Sequence, residues 1–181
     1  MSHPPFTAAE ERTRAAFLAL MWALSYPGRV QQLPEHAQAF ALIAETLLDL
    51  ETSYYSHDES LNPMLKQTGA ALLPVTDAAY LFFPVLASSD LPLIRQANMG
   101  TMLFPDESAS LFIGCTLGGG DTFVLQGPGI KGQQAIQVNG IPRAFWEMRE
   151  TACRFPLGWD VYLVDGQQVI GLPRSIRVDV I

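Results

Sequence analysis

Few side chains in this sequence could do chemistry on a ligand. Lys66 and Lys131 are its only lysines, and Lys131 lies in QGPGIKG, residues 126–132, where Gly127 and Gly129 would let the backbone approach an anion closely. The segment lacks the G-x-x-x-x-G-K-[ST] spacing of a phosphate loop, and no helix pattern follows at once. A turn that ends a strand explains its glycines and Pro128 more simply. Arg174, directly after Pro173, could grip a phosphate or carboxylate through two guanidinium nitrogens, although pairing with a neighbouring acid is the commoner fate of such an arginine. Asp160 follows Gly158 and Trp159 at the start of a strand and reads as a turn former before it reads as an acid. The candidate ligand-binding set is therefore Gly127, Gly129, Lys131 and Arg174.

The remaining reactive types are scattered. His3, His36 and His57 are isolated, with surface roles expected for each. No G-x-S-x-G marks a nucleophile, and the adjacent acids of DESL (residues 58–61) and PDES (105–108) fit solvated turns better than an acid/base pair. Cys115 and Cys153 stand 38 residues apart with no C-x-x-C and no histidine at ligand spacing. That signals neither a disulfide framework nor a metal site, and two reduced, partly buried thiols are expected. No catalytic residue, no metal ligand and no cofactor is assigned on these grounds.

The elements that must position these residues follow from periodicity. Thr7 and Glu10 make a T-x-x-E capping box, and Ala16, Phe17, Leu20, Met21 and Leu24 recur at helical spacing until YPG, which predicts an amphipathic helix over about 8–25. EHAQAFALIAETLLDLET predicts a second, more buried helix. SYYS and AYLFFPV read as strands, DESLNPMLKQT as a short helix or turn broken at Pro63, and SSDLPLIRQA as a short helix. From Ala109 the pattern turns to strands: ASLFIGCTL, a GGGD turn, TFVLQG and QQAIQV. PRAFWEMRETACR predicts a surface helix, DVYLV and QVIGLP a hairpin across Asp165-Gly166, and SIRVDVI a last strand. This order implies a layered α/β or α+β architecture in a single domain, residues 1–181.

A chain of 181 residues can bury about 70% of its unfolded surface. With 49% hydrophobic and only 16% charged residues, some apolar surface is expected to be covered by a partner. The net charge of −7 is uneven: residues 1–60 hold eight acids against three Lys/Arg, and 121–181 hold six of each. A nucleic-acid or anionic-membrane surface, which needs a clustered positive field, is disfavoured. RTRAAFLALMWALS is too short to span a bilayer, follows two glutamates and has no A-x-A-like cleavage site, so a cytoplasmic location is expected.

The order of motifs resembles the PhnH family, a subunit of the bacterial carbon-phosphorus lyase system. The resemblance runs through FLALMWALSYPGRV, LLDLETSYYS, TGA, PDESASL, LQGPGI, FPLGWDVYLV and LPRSIRV, almost the whole chain in order. Leu18, Ser108, Ser110 and Trp159 depart from the family's usual residues. The resemblance implies a three-layer α-β-α sandwich with a mixed sheet, similar to pyridoxal-phosphate-dependent transferases but without the cofactor. It also implies a homodimer that joins other carbon-phosphorus lyase subunits, supporting formation of ribose 1-methylphosphonate 5-triphosphate from ATP and methylphosphonate, with the chemistry mainly in the partners. The alternative is a stand-alone enzyme or binding protein for a phosphorylated ligand.

Overall fold

The computed structural model describes residues 6–181. Helix α1 (Ala8–Ser25) begins at the expected capping box, with the Thr7 side chain accepting from the Glu10 N–H and the Glu10 carboxylate accepting from the Thr7 N–H. Strand β1 (Gln31–Gln32), helix α2 (Ala39–Leu47), strand β2 (Ser53–Tyr55), helix α3 (Asn62–Gln67), strands β3 (Ala71–Leu72) and β4 (Tyr80–Phe83) and helix α4 (Leu91–Ile94) follow. Then come β5 (Ser110–Gly114), β6 (Thr116–Gln126), β7 (Gln134–Asn139), α5 (Arg143–Ala152), β8 (Asp160–Asp165), β9 (Gln168–Leu172) and β10 (Arg177–Val180). The two-residue strands β1 and β3 carry no periodicity of their own and exist only through their neighbours' backbone groups.

Seven strands form a mixed sheet in the order β1-β9-β8-β5-β4-β2-β3. Strands β3, β2, β4, β5 and β8 run parallel, β9 pairs antiparallel with β8, and the edge strand β1 pairs antiparallel with β9. The central strands are continuous apolar runs because both faces are covered. Leu81, Phe83, Leu111, Ile113, Val161 and Leu163 enter one core, and Phe82, Phe112 and Tyr162 the other. Those three rings form a cross-strand ladder with centroid spacings of 5.0 and 4.7 Å. Helices α1, α2 and α3 cover the ladder face. The opposite face is covered by α5 together with a second, antiparallel sheet, β10-β6-β7. That outer layer is therefore largely strand rather than the all-helical layer of an α-β-α sandwich, since the alternating apolar residues of β6 and β7 (Phe123, Leu125, Ile136, Val138) supply the covering surface.

Two local expectations change. GGGD is not a turn: β6 runs through it, 11 residues long, with a bulge between Leu117 and Asp121 opposite β7. Gly118 and Gly120, at φ +81° and +80°, take up the extra residues while pairing continues. In α1 the small residues face inward: Ala16, Ala19, Leu20 and Ala23 are buried, whereas Phe17 is 52% and Trp22 43% exposed. The cause is the close seat of α1 on β9, where Gly171 leaves no room for larger side chains.

Candidate functional site

The C-terminal motifs converge on one corner of the molecule. Arg174 emerges after β9 and reaches back to Asp160 at the start of β8, its Nη2 donating to Oδ2 at 2.7 Å and its Nε to Oδ1 at 3.3 Å. The Arg174 backbone N–H also donates to Asp160 Oδ1, and Nη1 donates to the Pro105 carbonyl. This one guanidinium joins PDES, FPLGWD and LPRS. Trp159 is fully buried beneath, with Nε1 donating to the Ala97 carbonyl at 3.2 Å, and the Gly158 N–H donates to Met99 O. The loop between α4 and β5 is thus tied down on both sides. Its turn, closed by Thr101 N–H to Phe104 O, displays Met102, Leu103 (83% exposed) and Phe104. Asp160→Ala should lower the unfolding free energy by about 2 kcal/mol, the value of a charge-assisted hydrogen-bond set at a mostly buried pair, and chymotrypsin should cut faster after Leu103. Urea denaturation and limited proteolysis check both.

Arg149 lies on the inner face of α5, only 2% exposed. Its Nη1 donates to Ile176 O at 3.0 Å, and Nη2 donates to Pro173 O at 2.8 Å and Leu172 O at 3.2 Å. Among the described residues its Nε has no acceptor, and no carboxylate lies within ion-pair distance. Burial pushes its pKa down from the usual arginine value, partly offset by Cys153 and Asp160. Beside it opens a cavity of about 360 Å³, lined among others by Arg149, Arg174, Ser175, Arg177 and Phe155. Arg149 is not among the candidate ligand-binding residues of the sequence, although it stands at helical spacing with the apolar Phe145, Met148 and Ala152, a charged residue in register with the buried face.

The glycine loop lies elsewhere. Gly129 and Lys131 line a small cavity of about 100 Å³ with Pro27 and Arg29. A Cβ on Gly129 would sit 2.8 Å from Ser25 O, so the loop packs on the end of α1 and YPGR meets GPGIK in space. Gly127, at φ +141°, abuts Ser175 and Ile176, next to Arg174 in the chain, but the Arg174 side chain turns toward Asp160. The structure therefore brings Gly129 and Lys131 together, whereas Arg174 lines a different cavity and its guanidinium is held by Asp160 and Pro105 O.

Other candidates are placed as follows. Asp160 is held by Arg174 rather than free for acid chemistry. His36 faces Glu45 and His57 faces Asp90, each at 4.0 Å, and His3 lies outside the described residues. Both cysteines are free and partly buried. Burial, with Asp165 nearby, pushes the Cys115 thiol up to about 12, which leaves it protonated and unreactive at neutral pH. Among the described residues no group of three His, Cys, Asp or Glu could hold a metal ion, and no helix is long and apolar enough to cross a membrane.

The chain is similar over nearly its whole length to known proteins. It is 34% identical over 172 residues to the C-P lyase subunit protein HtxG of Stutzerimonas stutzeri, covering 93% of this chain and 86% of that protein. It is 28% identical over 186 residues to the alpha-D-ribose 1-methylphosphonate 5-triphosphate synthase subunit PhnH of Rhizobium meliloti (strain 1021), covering 92% and 90%. The model of the family described as bacterial phosphonate metabolism protein (PhnH) matches residues 4–179. The family match thus spans all the motifs noted in the sequence, and the chain belongs to the PhnH family.

Proposed function

We propose that this chain is an accessory subunit of a carbon-phosphorus lyase complex in phosphonate catabolism, working as a homodimer inside a larger hetero-oligomer. Its part is to support formation of ribose 1-methylphosphonate 5-triphosphate, the product in the name of its Rhizobium relative. A reaction that consumes ATP belongs in the cytoplasm. The observation that carries the reading is the outer face of α1, where Phe17, Leu18, Met21, Trp22 and Tyr26 are all exposed. Such a stripe of large apolar residues has the composition of an interface core. Trp22 and Tyr26 stack at 5.4 Å and present one rigid aromatic surface.

The α1 face serves the second copy. Glu10 and Glu11 stand at its N-terminal end, and Arg29, stacked on the Tyr26 ring at 5.2 Å, stands at the other. An antiparallel pairing of two α1 helices lays the acidic end of each toward the Arg29 of its mate. The second apolar surface, Met102, Leu103 and Phe104, belongs to the loop between α4 and β5, whose ends pack on the other side of the central sheet, and serves another subunit. Lys66 is exposed and Lys131 lines only the small cavity, so neither has the enclosed setting of a cofactor-bearing lysine.

Tagged protein from its native host should bring other carbon-phosphorus lyase subunits along in fixed ratio, read by mass spectrometry. Recovery of this chain alone at native expression and low salt overturns the reading. Phe17→Glu with Trp22→Glu should convert the purified chain from dimer to monomer in size-exclusion light scattering, with its helix content unchanged, because both side chains point away from the core.

A further inference from the structure

The cavity beside Arg149 has no role in subunit docking as proposed above, and its chemistry is distinctive. Three of the nine arginines line it, against Glu150 as the one acid on its wall, in a chain of net charge −7. Their states differ. Arg174 is committed to Asp160 and Pro105. Arg149 is buried, gives three hydrogen bonds to neutral carbonyls and meets no carboxylate, so its charge is solvated but not neutralised. Arg177 is largely exposed and holds only Asp179, two residues along its own strand, at 2.8 Å. An exposed pair of this kind is worth little and yields readily to a stronger acceptor.

We infer that this cavity binds a phosphomonoester-sized anion. The ligand's charge answers the uncompensated Arg149, whose own Nε is occluded and makes no contact with it. Arg177 swings from Asp179 to supply the bidentate grip, and the Ser175 hydroxyl at the rim adds a donor. About 360 Å³ takes a phosphorylated small molecule, and Phe155, 75% exposed on the same wall, offers a flat apolar surface for its uncharged part.

The test is calorimetric titration of the purified full-length chain with inorganic phosphate and with AMP, at ionic strength matched with chloride. Saturable binding of phosphate is expected. Arg177→Ala should weaken it about tenfold, the effect of losing a charge-assisted bond. Asp179→Asn, which frees Arg177, should tighten it, and Lys131→Ala should leave it unchanged. AMP binding more tightly than phosphate assigns the Phe155 wall to a planar group, and AMP binding no better confines the site to the anion. Absence of saturable phosphate binding at millimolar concentration overturns the proposal. So does loss of binding in Lys131→Ala with Arg177→Ala unaffected, which moves the anion to the glycine loop. Because neither Arg177 nor Asp179 is buried, these variants fold whatever the outcome. Failure here leaves the complex-subunit reading standing, and failure of co-purification leaves this one standing.

Discussion

Arg149→Met should destabilise the fold by about 3 kcal/mol or more, which for a domain of this size moves the thermal midpoint by roughly 6–12 °C. The guanidinium is the shared donor for the carbonyls of Leu172, Pro173 and Ile176, the bend that leads from β9 into β10. Methionine fills a similar volume and leaves the Leu172 and Ile176 carbonyls without the guanidinium, while Pro173 O keeps the Ile176 N–H, so the cost is that of poorly satisfied acceptors rather than of a void. Arg149→Lys tests the geometry. Its single ammonium head cannot reproduce a planar fork aimed at three acceptors, and it should recover only part of the loss. Urea melts of the three proteins decide the matter. A methionine variant within about 0.5 kcal/mol of the parent, the range of an ordinary surface change, would mean that the bend holds itself.

Gly171→Ala should cost about 3 kcal/mol through overpacking. A Cβ there would fall 2.5 Å from the Ala23 carbonyl carbon, 2.6 Å from its oxygen and 2.7 Å from the Leu24 nitrogen. All three are backbone atoms of α1, and none can rotate away. The helix would have to lift from β9, pulling Ala16, Leu20 and Ala23 out of their seat. Gly166→Ala is the control: its Cβ meets nothing within 4 Å, and only its φ of +54° is unfavourable, so about 1 kcal/mol is expected. Thermal melts that rank the two variants in the reverse order would contradict the close seat. Because α1 also carries the exposed aromatic face, Gly171→Ala should weaken the dimerisation proposed above in parallel with stability.

Much of the architecture was legible in the residues because local rules sufficed for it. The capping box placed the start of α1, Asp165-Gly166 announced the β8–β9 turn to within one residue, since it falls at Gly166-Gln167, and uninterrupted runs such as YLFF and SLFIG announced strands. Where local rules were equally satisfied by two outcomes, the reading failed. GGGD can turn a chain or bulge a strand, and pairing with β7 chose the bulge. In α1, Ala16 and Phe17 fit the same helical period, and only the approach of Gly171 selected the alanines for the core.

The sites divide in the same way. Motif order by itself determined the family, since a linear comparison needs no coordinates. It also determined that lysine chemistry would be scarce and that apolar surface would be left over. Only the tertiary structure decided that Arg174 and Lys131 serve different cavities, that Arg174 is held by an aspartate 14 residues away, and that Arg149 becomes a buried cation beside Arg177. The physical reason is range. Helical and strand periods, caps and turns act over a few residues, whereas the partner of a charge is set by which strand ends the sheet order brings together, and β5, β8 and β9 assemble that corner from distant parts of the chain.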